Sequence, residues 1–189
     1  MKVLHFIYGL ALGGAESFIR SCMLALKDDG VDWHFAIQNP VVTNRFFTEN
    51  LSDENIHILP LFTRNPIGQY RELTKLIKAE QFDVVHIHAN ALINPIPLIA
   101  CLNCDQSFVI HSHSTSTNPG LVCRMVHSIN KAWLGLSKSA IRIAGSQSAG
   151  RWMFGRKIFS VVNNAIDINH YIFNEQSRAE IRSRYGIAD

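Results

Sequence analysis

The sequence predicts an α/β fold: a doubly wound, mostly parallel sheet of about seven strands with helices on both faces. Two observations carry this. Short apolar runs rich in β-branched and aromatic residues recur at 3–8, 32–38, 56–61, 83–88, 108–112, 141–144 and 159–162. Segments with the period of a helix lie between them. Strands that alternate with helices build βαβ units, whose parallel strands are covered on both faces and therefore read as continuous apolar runs.

Each element has its own signal. After the first strand, Ala15, Phe18, Ile19, Cys22, Met23 and Leu26 fall on one helical face, and Asp28, Asp29 and Gly30 end it. The following crossovers read 46–51, 70–79, 93–102 and 121–136. Ser146 is placed to cap a short helix that Gly155 closes. The tail differs: Arg178, Glu180, Arg182 and Arg184 crowd a polar helix that stops at Gly186 with no strand after it. The division expected is one domain over 1–173 and a linker helix over 174–189, leading towards a further domain absent from these 189 residues.

Composition excludes some classes. With 47% hydrophobic and 17% charged residues, the chain can bury one sizeable core. A formal charge of +3 is too small to argue for nucleic acid and leans only towards anionic ligands or an acidic lipid surface. Met1 to Tyr8 runs straight into an apolar strand without a cleavage site, and no apolar stretch is long enough to span a bilayer, so a soluble, cytoplasmic protein is expected. Cys22, Cys101, Cys104 and Cys123 form no disulfide framework. The Cys101/Cys104 pair falls at a helix end without further ligands, so all four read as reduced thiols.

In an open doubly wound sheet, ligands bind beyond the carboxyl ends of the strands, where strand order reverses. That selects two places. One is the loop from Gly9 to Glu16, where Gly13 and Gly14 open a helix and let a ligand approach backbone N–H groups. The other is the end of the fourth and fifth strands, where His86/His88 and His111/His113 should meet at one rim. The glycines do not have dinucleotide-binding spacing, Gln38-Asn39 replaces the ribose-binding acid, and there is no G-K-[ST]. A tight turn without ligand and a Glu16 that only complements the helix dipole remain the plain alternatives. Four histidines also admit a metal, but no Asp, Glu or Cys stands beside them, and the expectation is no metal.

The chain resembles glycosyltransferase family 4, in particular bacterial exopolysaccharide and capsule enzymes. The residues that carry this are Met1 to His5 leading to Gly13-Gly14-Ala15-Glu16, His86-Ile87-His88-Ala89, His111-Ser112-His113-Ser114, Ala149 to Gly155, and Val161 to Asp167. The resemblance implies a GT-B architecture of two Rossmann-like domains, of which this is the N-terminal, acceptor-side half. It implies retention of configuration, no cofactor, and a nucleotide sugar, UDP-linked, as co-substrate. Carried over by position, His113 is the catalytic-side residue at the reacting sugar. Glu16, His88 and Ser114 line the acceptor, and Gly13 and Gly14 lie on the donor-phosphate side. Asn163-Asn164 is a turn, and Asp167 braces the junction between halves.

The expected partners are the missing donor-binding domain, the nucleotide sugar and a lipid-linked saccharide acceptor, with peripheral contact to the inner face of the cytoplasmic membrane. A basic, amphipathic 121–138 helix carrying Arg124, Lys131, Lys138, Met125, Trp133 and Leu134 is the candidate for that contact, with a second cluster at Arg151, Trp152, Phe154, Arg156 and Lys157. The family's acidic pair belongs to the other half; Glu72 and Glu80 have its spacing but sit on a solvated helix face. The half alone is expected to be inactive. The competing reading is a non-catalytic subunit that binds an anionic ligand.

Overall fold

In the computed structural model, which describes residues 1–115, 120–136, 140–166 and 168–187, helices and strands alternate as expected. The order is β1 (Lys2–Ile7), α1 (Gly14–Ala25), β2 (Asp32–Ile37), α2 (Arg45–Asn50), β3 (Ile56–Ile58), α3 (Pro66–Glu80) and β4 (Val84–Ala89). It continues with α4 (Ile96–Asn103), β5 (Phe108–Ser112), α5 (Leu121–Leu136), β6 (Ala140–Ala144), α6 (Gln147–Phe154), β7 (Ser160–Val161) and α7 (Glu175–Arg184). Asp167, Lys138 and Asp189 lie outside the described residues.

One seven-stranded sheet runs β3-β2-β1-β4-β5-β6-β7, with every neighbouring pair parallel. The order reverses between β1 and β4, so the loops leaving these two strands diverge and open a crevice at their carboxyl ends. Period-2 alternation divides the core. Leu4, Phe6, Val85, Ile87, Phe108 and Ile110 join Leu73 and Ile77 of α3 and Leu98 and Cys101 of α4 in one cluster. Ile7, Phe35 and Ile37 meet Phe18, Ile19 and Met23 of α1 in the other. The second face also carries His5, His86, His88 and His111, the strand positions that alternate with the first cluster.

Where boundaries differ from the sequence reading, end chemistry accounts for it. α3 starts at Pro66, ahead of its apolar periodicity, because the Asn65 side chain accepts from the Gly68 amide at 2.8 Å and Pro66 fits the first turn, where its missing N–H costs nothing. β3 keeps only three residues. α7 is capped by Asn174, which accepts from the Ser177 amide, and none of its residues is buried. Glu80 ends α3 in an ion pair with Lys2 at 2.6 Å, and Leu73 and Ile77 point inward, so the Glu72/Glu80 spacing is a surface feature. None of the described helices is long and apolar enough to cross a membrane.

Gly150, in α6, is fixed by packing. A Cβ there would collide with the ring of Phe159, which itself rests on Phe154 with ring centroids 5.8 Å apart. Alanine would gain roughly 1 kcal/mol of helix propensity, whereas overpacking of a filled core costs about 1–3 kcal/mol. Because the colliding group is a wedged ring, Gly150→Ala is expected to lower stability by about 1–2 kcal/mol, read as a lower urea midpoint with unchanged slope.

Candidate functional site

The crevice at the β1/β4 reversal is a cleft of about 740 Å³. All six residues singled out by the sequence border it: Gly13, Gly14, Glu16, His88, His113 and Ser114. Asn164 of the expected turn borders it too.

The glycine loop has a local cause that differs from the one expected. Gly13 is extended, at φ −160°, so no positive φ demands a glycine. A Cβ at Gly13 would instead strike the Glu16 carboxylate, while at Gly14 it would meet nothing within 4 Å. Gly13 thus makes room for Glu16 to fold back beside it. Without a side-chain cap, the first amides of α1 are left for a ligand or water.

The loop after β4 is held by side chains of the neighbouring helices. The Asn130 side chain donates to the Leu92 carbonyl at 2.7 Å, and His127 Nδ1 accepts from the Leu92 amide at 3.0 Å. Trp152, stacked on His127, donates to the Asn90 carbonyl at 3.1 Å, so α5 and α6 together clamp the loop. Asn94 donates to buried Gln69, which donates to Gln38 at 2.8 Å and ties the loop to β2. Asn90, Asn94, Asn130 and Gln38 therefore line a polar, uncharged wall that sequence reasoning did not identify. Among the described lining residues Glu16 is the single formal charge, and none is Lys or Arg.

The two H-x-H pairs do meet, and His5 of β1 joins them. His5 Nδ1 lies 2.9 Å from His88 Nε2, and His88 Nδ1 lies 2.8 Å from His113 Nε2. His86 and His111 form a parallel, longer contact of 3.3 Å. In each case the partner is two residues beyond the position directly paired on the next strand, a diagonal set by side chains leaning along parallel strands. Phe18 of α1 covers the layer edge-on, 4.6 Å from His111 and 5.8 Å from His113.

Burial makes these rings neutral. It is the leading cause in each case: His5 is lowered to about 3, His111 to about 2 and His113 to about 4, while His86 and His88 are held well below the ordinary value. Neighbouring imidazoles add to the shift for all of them except His113. One expectation changes here. His88 borders the cleft, but both of its ring nitrogens are spent on His5 and His113, so it cannot also hydrogen-bond an acceptor through the ring.

The triples His5/His86/His88 and His88/His111/His113 each bring one nitrogen per residue within 4.8 Å of one another. Two ligands of one tetrahedral zinc ion stand about 3.3 Å apart, given Zn–N near 2.05 Å. The closest ring nitrogens are nearer than that and face each other as hydrogen-bonded pairs.

The helix expected at the membrane is amphipathic in a modified form. Leu121, Val122, Met125, Ile129 and Trp133 are exposed on α5, whereas Leu134 turns into the core and Lys131 donates to the Trp152 carbonyl. In the second cluster Phe154 is buried and Trp152 is bound to the loop, leaving Arg151, Arg156 and Lys157 exposed. All four cysteines are free thiols.

A parallel sheet in this strand order, with its cleft at the reversal, is the Rossmann-like, doubly wound arrangement. The chain belongs to glycosyltransferase family 4, whose model matches residues 12–170. EpsF of Bacillus subtilis (strain 168), a glycosyltransferase by name, is 26% identical over 99% of this chain and 51% of its own length. The fold is that of Anabaena Alr3699/HepE, solved with UDP and glucose, at TM-score 0.71, with 18% identity over 98% of this chain and 50% of that one. A glycosyltransferase from Rickettsia africae ESF-5 superposes at 0.68, with 16% identity over 100% of this chain and 50% of its own. The chain thus spans about half the length of the relatives it matches.

Proposed function

We propose that this chain is the acceptor-side, N-terminal half of a retaining glycosyltransferase. The enzyme moves a sugar from a nucleotide sugar, UDP-linked, to a lipid-linked saccharide in exopolysaccharide or capsule assembly at the cytoplasmic face of a membrane. The observation that carries this is the polar side of the cleft: Gln38, Asn90, Asn94, Asn130 and the Glu16 carboxylate, set among apolar residues, match the hydroxyls and the apolar ring faces of an uncharged sugar. In this reading Glu16 and Ser114 hydrogen-bond the acceptor, and His88 acts on it through His113. His113 contacts the reacting sugar. The amides at Gly13 and Gly14 face the donor phosphate, stabilising charge as the bond breaks. The hydrogen-bonded histidine layer works without a metal. The exposed α5 stripe lies against the bilayer, α7 leads to the donor half, and this half alone transfers nothing.

The alternative, a non-catalytic subunit that binds an anionic ligand, predicts binding of the donor without transfer. The test is transfer of labelled sugar from a panel of nucleotide sugars to lipid-linked and free saccharides, using protein that includes the donor half. Transfer from one donor to a saccharide supports the proposal; binding of the donor without transfer to any acceptor would sink it.

Glu16 offers a finer prediction. Alanine at Gly13 would push only the flexible end of Glu16, so stability should change by less than about 0.5 kcal/mol. Displacing a charge-assisted hydrogen bond to the acceptor is expected to raise the acceptor KM about tenfold, with kcat little changed in the same assay.

A further inference from the structure

His5, His88 and His113 lie edge to edge. The ring centroids are 5.2 Å apart for His5–His88 and 5.1 Å for His88–His113, with interplanar angles of 17° and 22°. At such centroid distances, N···N separations of 2.9 and 2.8 Å require rings that are nearly coplanar and joined head to tail through their nitrogens. A neutral imidazole has one N–H and one lone pair. The middle ring must then donate to one neighbour and accept from the other. The row therefore has two self-consistent states: every ring protonated on Nδ1, or every ring protonated on Nε2.

The ends decide between them. His5 Nε2 and His113 Nδ1 are both buried without a hydrogen-bond partner. His5 is at the deep end, beneath Trp33 and Phe35, whereas His113 borders the cleft. The Nε2–H state would leave an unpaired N–H in the deepest position, the more costly kind of orphan. The Nδ1–H state leaves only a bare lone pair there and moves the unpaired N–H to His113, beside the cleft, where water or a ligand has the shorter path to it.

We propose that His5 is a positioning residue. By donating from Nδ1 to His88, it fixes the tautomer of the whole row and makes His113 an Nδ1–H donor with its Nε2 occupied. The row itself stands on ring geometry; that its cleft end serves a sugar substrate rests on the transferase reading. The device converts a buried residue with no access to the cleft into the one that sets which atom of His113 carries the proton.

The test reads tautomers directly, by two-bond nitrogen–proton correlation on this chain labelled with ¹⁵N-histidine at neutral pH, independently of transferase activity. In the wild type, His5, His88 and His113 are expected to share the Nδ1–H form. Opposite tautomers at His88 and His113 would overturn the proposal with no substitution needed. In His5→Met, which fills much of the same space beside Trp33 and Phe35 but can only accept, through its thioether, the Nε2–H row alone finds a partner at this end, so the Nδ1–H to Nε2–H ratio at His113 should fall about fivefold or more, the ratio that one net hydrogen bond represents. His5→Asn, whose amide nitrogen can stand near the Nδ1 position, should restore it. A folded His5→Met protein with an unchanged His113 ratio would remove His5 from the role. EDTA and added Zn²⁺ should each leave the wild-type spectrum unchanged; a shift with either would mean that these nitrogens ligate metal instead.

Discussion

Lowering the pH from 7 to 5 is expected to cost this domain at least about 4 kcal/mol of stability, which is a large part of the 5–15 kcal/mol that domains of this size possess. The cause is the histidine layer. His5, His111 and His113 are lowered to about 3, 2 and 4, and His86 and His88 lie well below the ordinary value, all led by burial. In the unfolded chain each takes up a proton near pH 6.5. Between about pH 4 and 6.5 the unfolded state therefore binds more protons, and stability rises with pH across that window. The stabilisation is fully present above pH 6.5 and is lost as the pH falls below it.

A single ring of this kind contributes a loss of about 2 kcal/mol between pH 7 and 5. Five would sum to about 10 kcal/mol, as much as many domains have in total, and local opening that charges rings at the edge sets the realised figure below the sum. Urea midpoints measured every half unit give the slope of stability against pH. We expect it to correspond to about three to five protons taken up on unfolding near pH 5.5. A slope below one proton would show that the layer admits water or charge in the native state.

The fold was legible because its signals are local. Runs such as Val3 to Ile7 and Val84 to Ile87 are dense in β-branched and apolar residues, and doubly buried strands need little else to announce themselves. Strand order followed from a rule about reversal, and that rule brought Gly13, Glu16, His88 and His113 to one cleft. What stayed hidden was pairing across strands. His5 sits alone in an apolar run, and nothing near it in sequence says that a diagonal two residues long will carry it to His88. His127 and Asn130 carry no signal of their own in a helix read for its membrane-facing pattern, and Trp152 falls in the second basic-aromatic cluster, yet all three hold the loop after β4. The α5 stripe was legible as a pattern but not in detail, since Lys131 reads as a solvated cation until its bond to the Trp152 carbonyl is known.

Replacing His113 with alanine should lower kcat/KM for sugar transfer by about a hundredfold or more, measured on protein that includes the donor-binding half. On the proposed reading this ring stands where the cleft meets the reacting sugar, and the row behind it keeps it neutral and oriented. A preorganised donor of this kind acts in a partly dehydrated site, where removing one costs roughly two to three orders of magnitude. The loss should fall mainly on kcat, because a contact that strengthens as the sugar–phosphate bond breaks contributes less to the ground state. Stability must be measured beside it, for alanine leaves His88 Nδ1 without its partner at an expected cost of about 1–3 kcal/mol. A folded His113→Ala protein that binds the nucleotide sugar and transfers it at the wild-type rate would take His113 out of the mechanism and leave the histidine layer as core structure alone. The contrast with Gly13→Ala is informative, since that substitution is expected to raise the acceptor KM and spare kcat. Opposite signatures from two residues of one cleft would separate the group that holds the acceptor from the group that responds to the transition state.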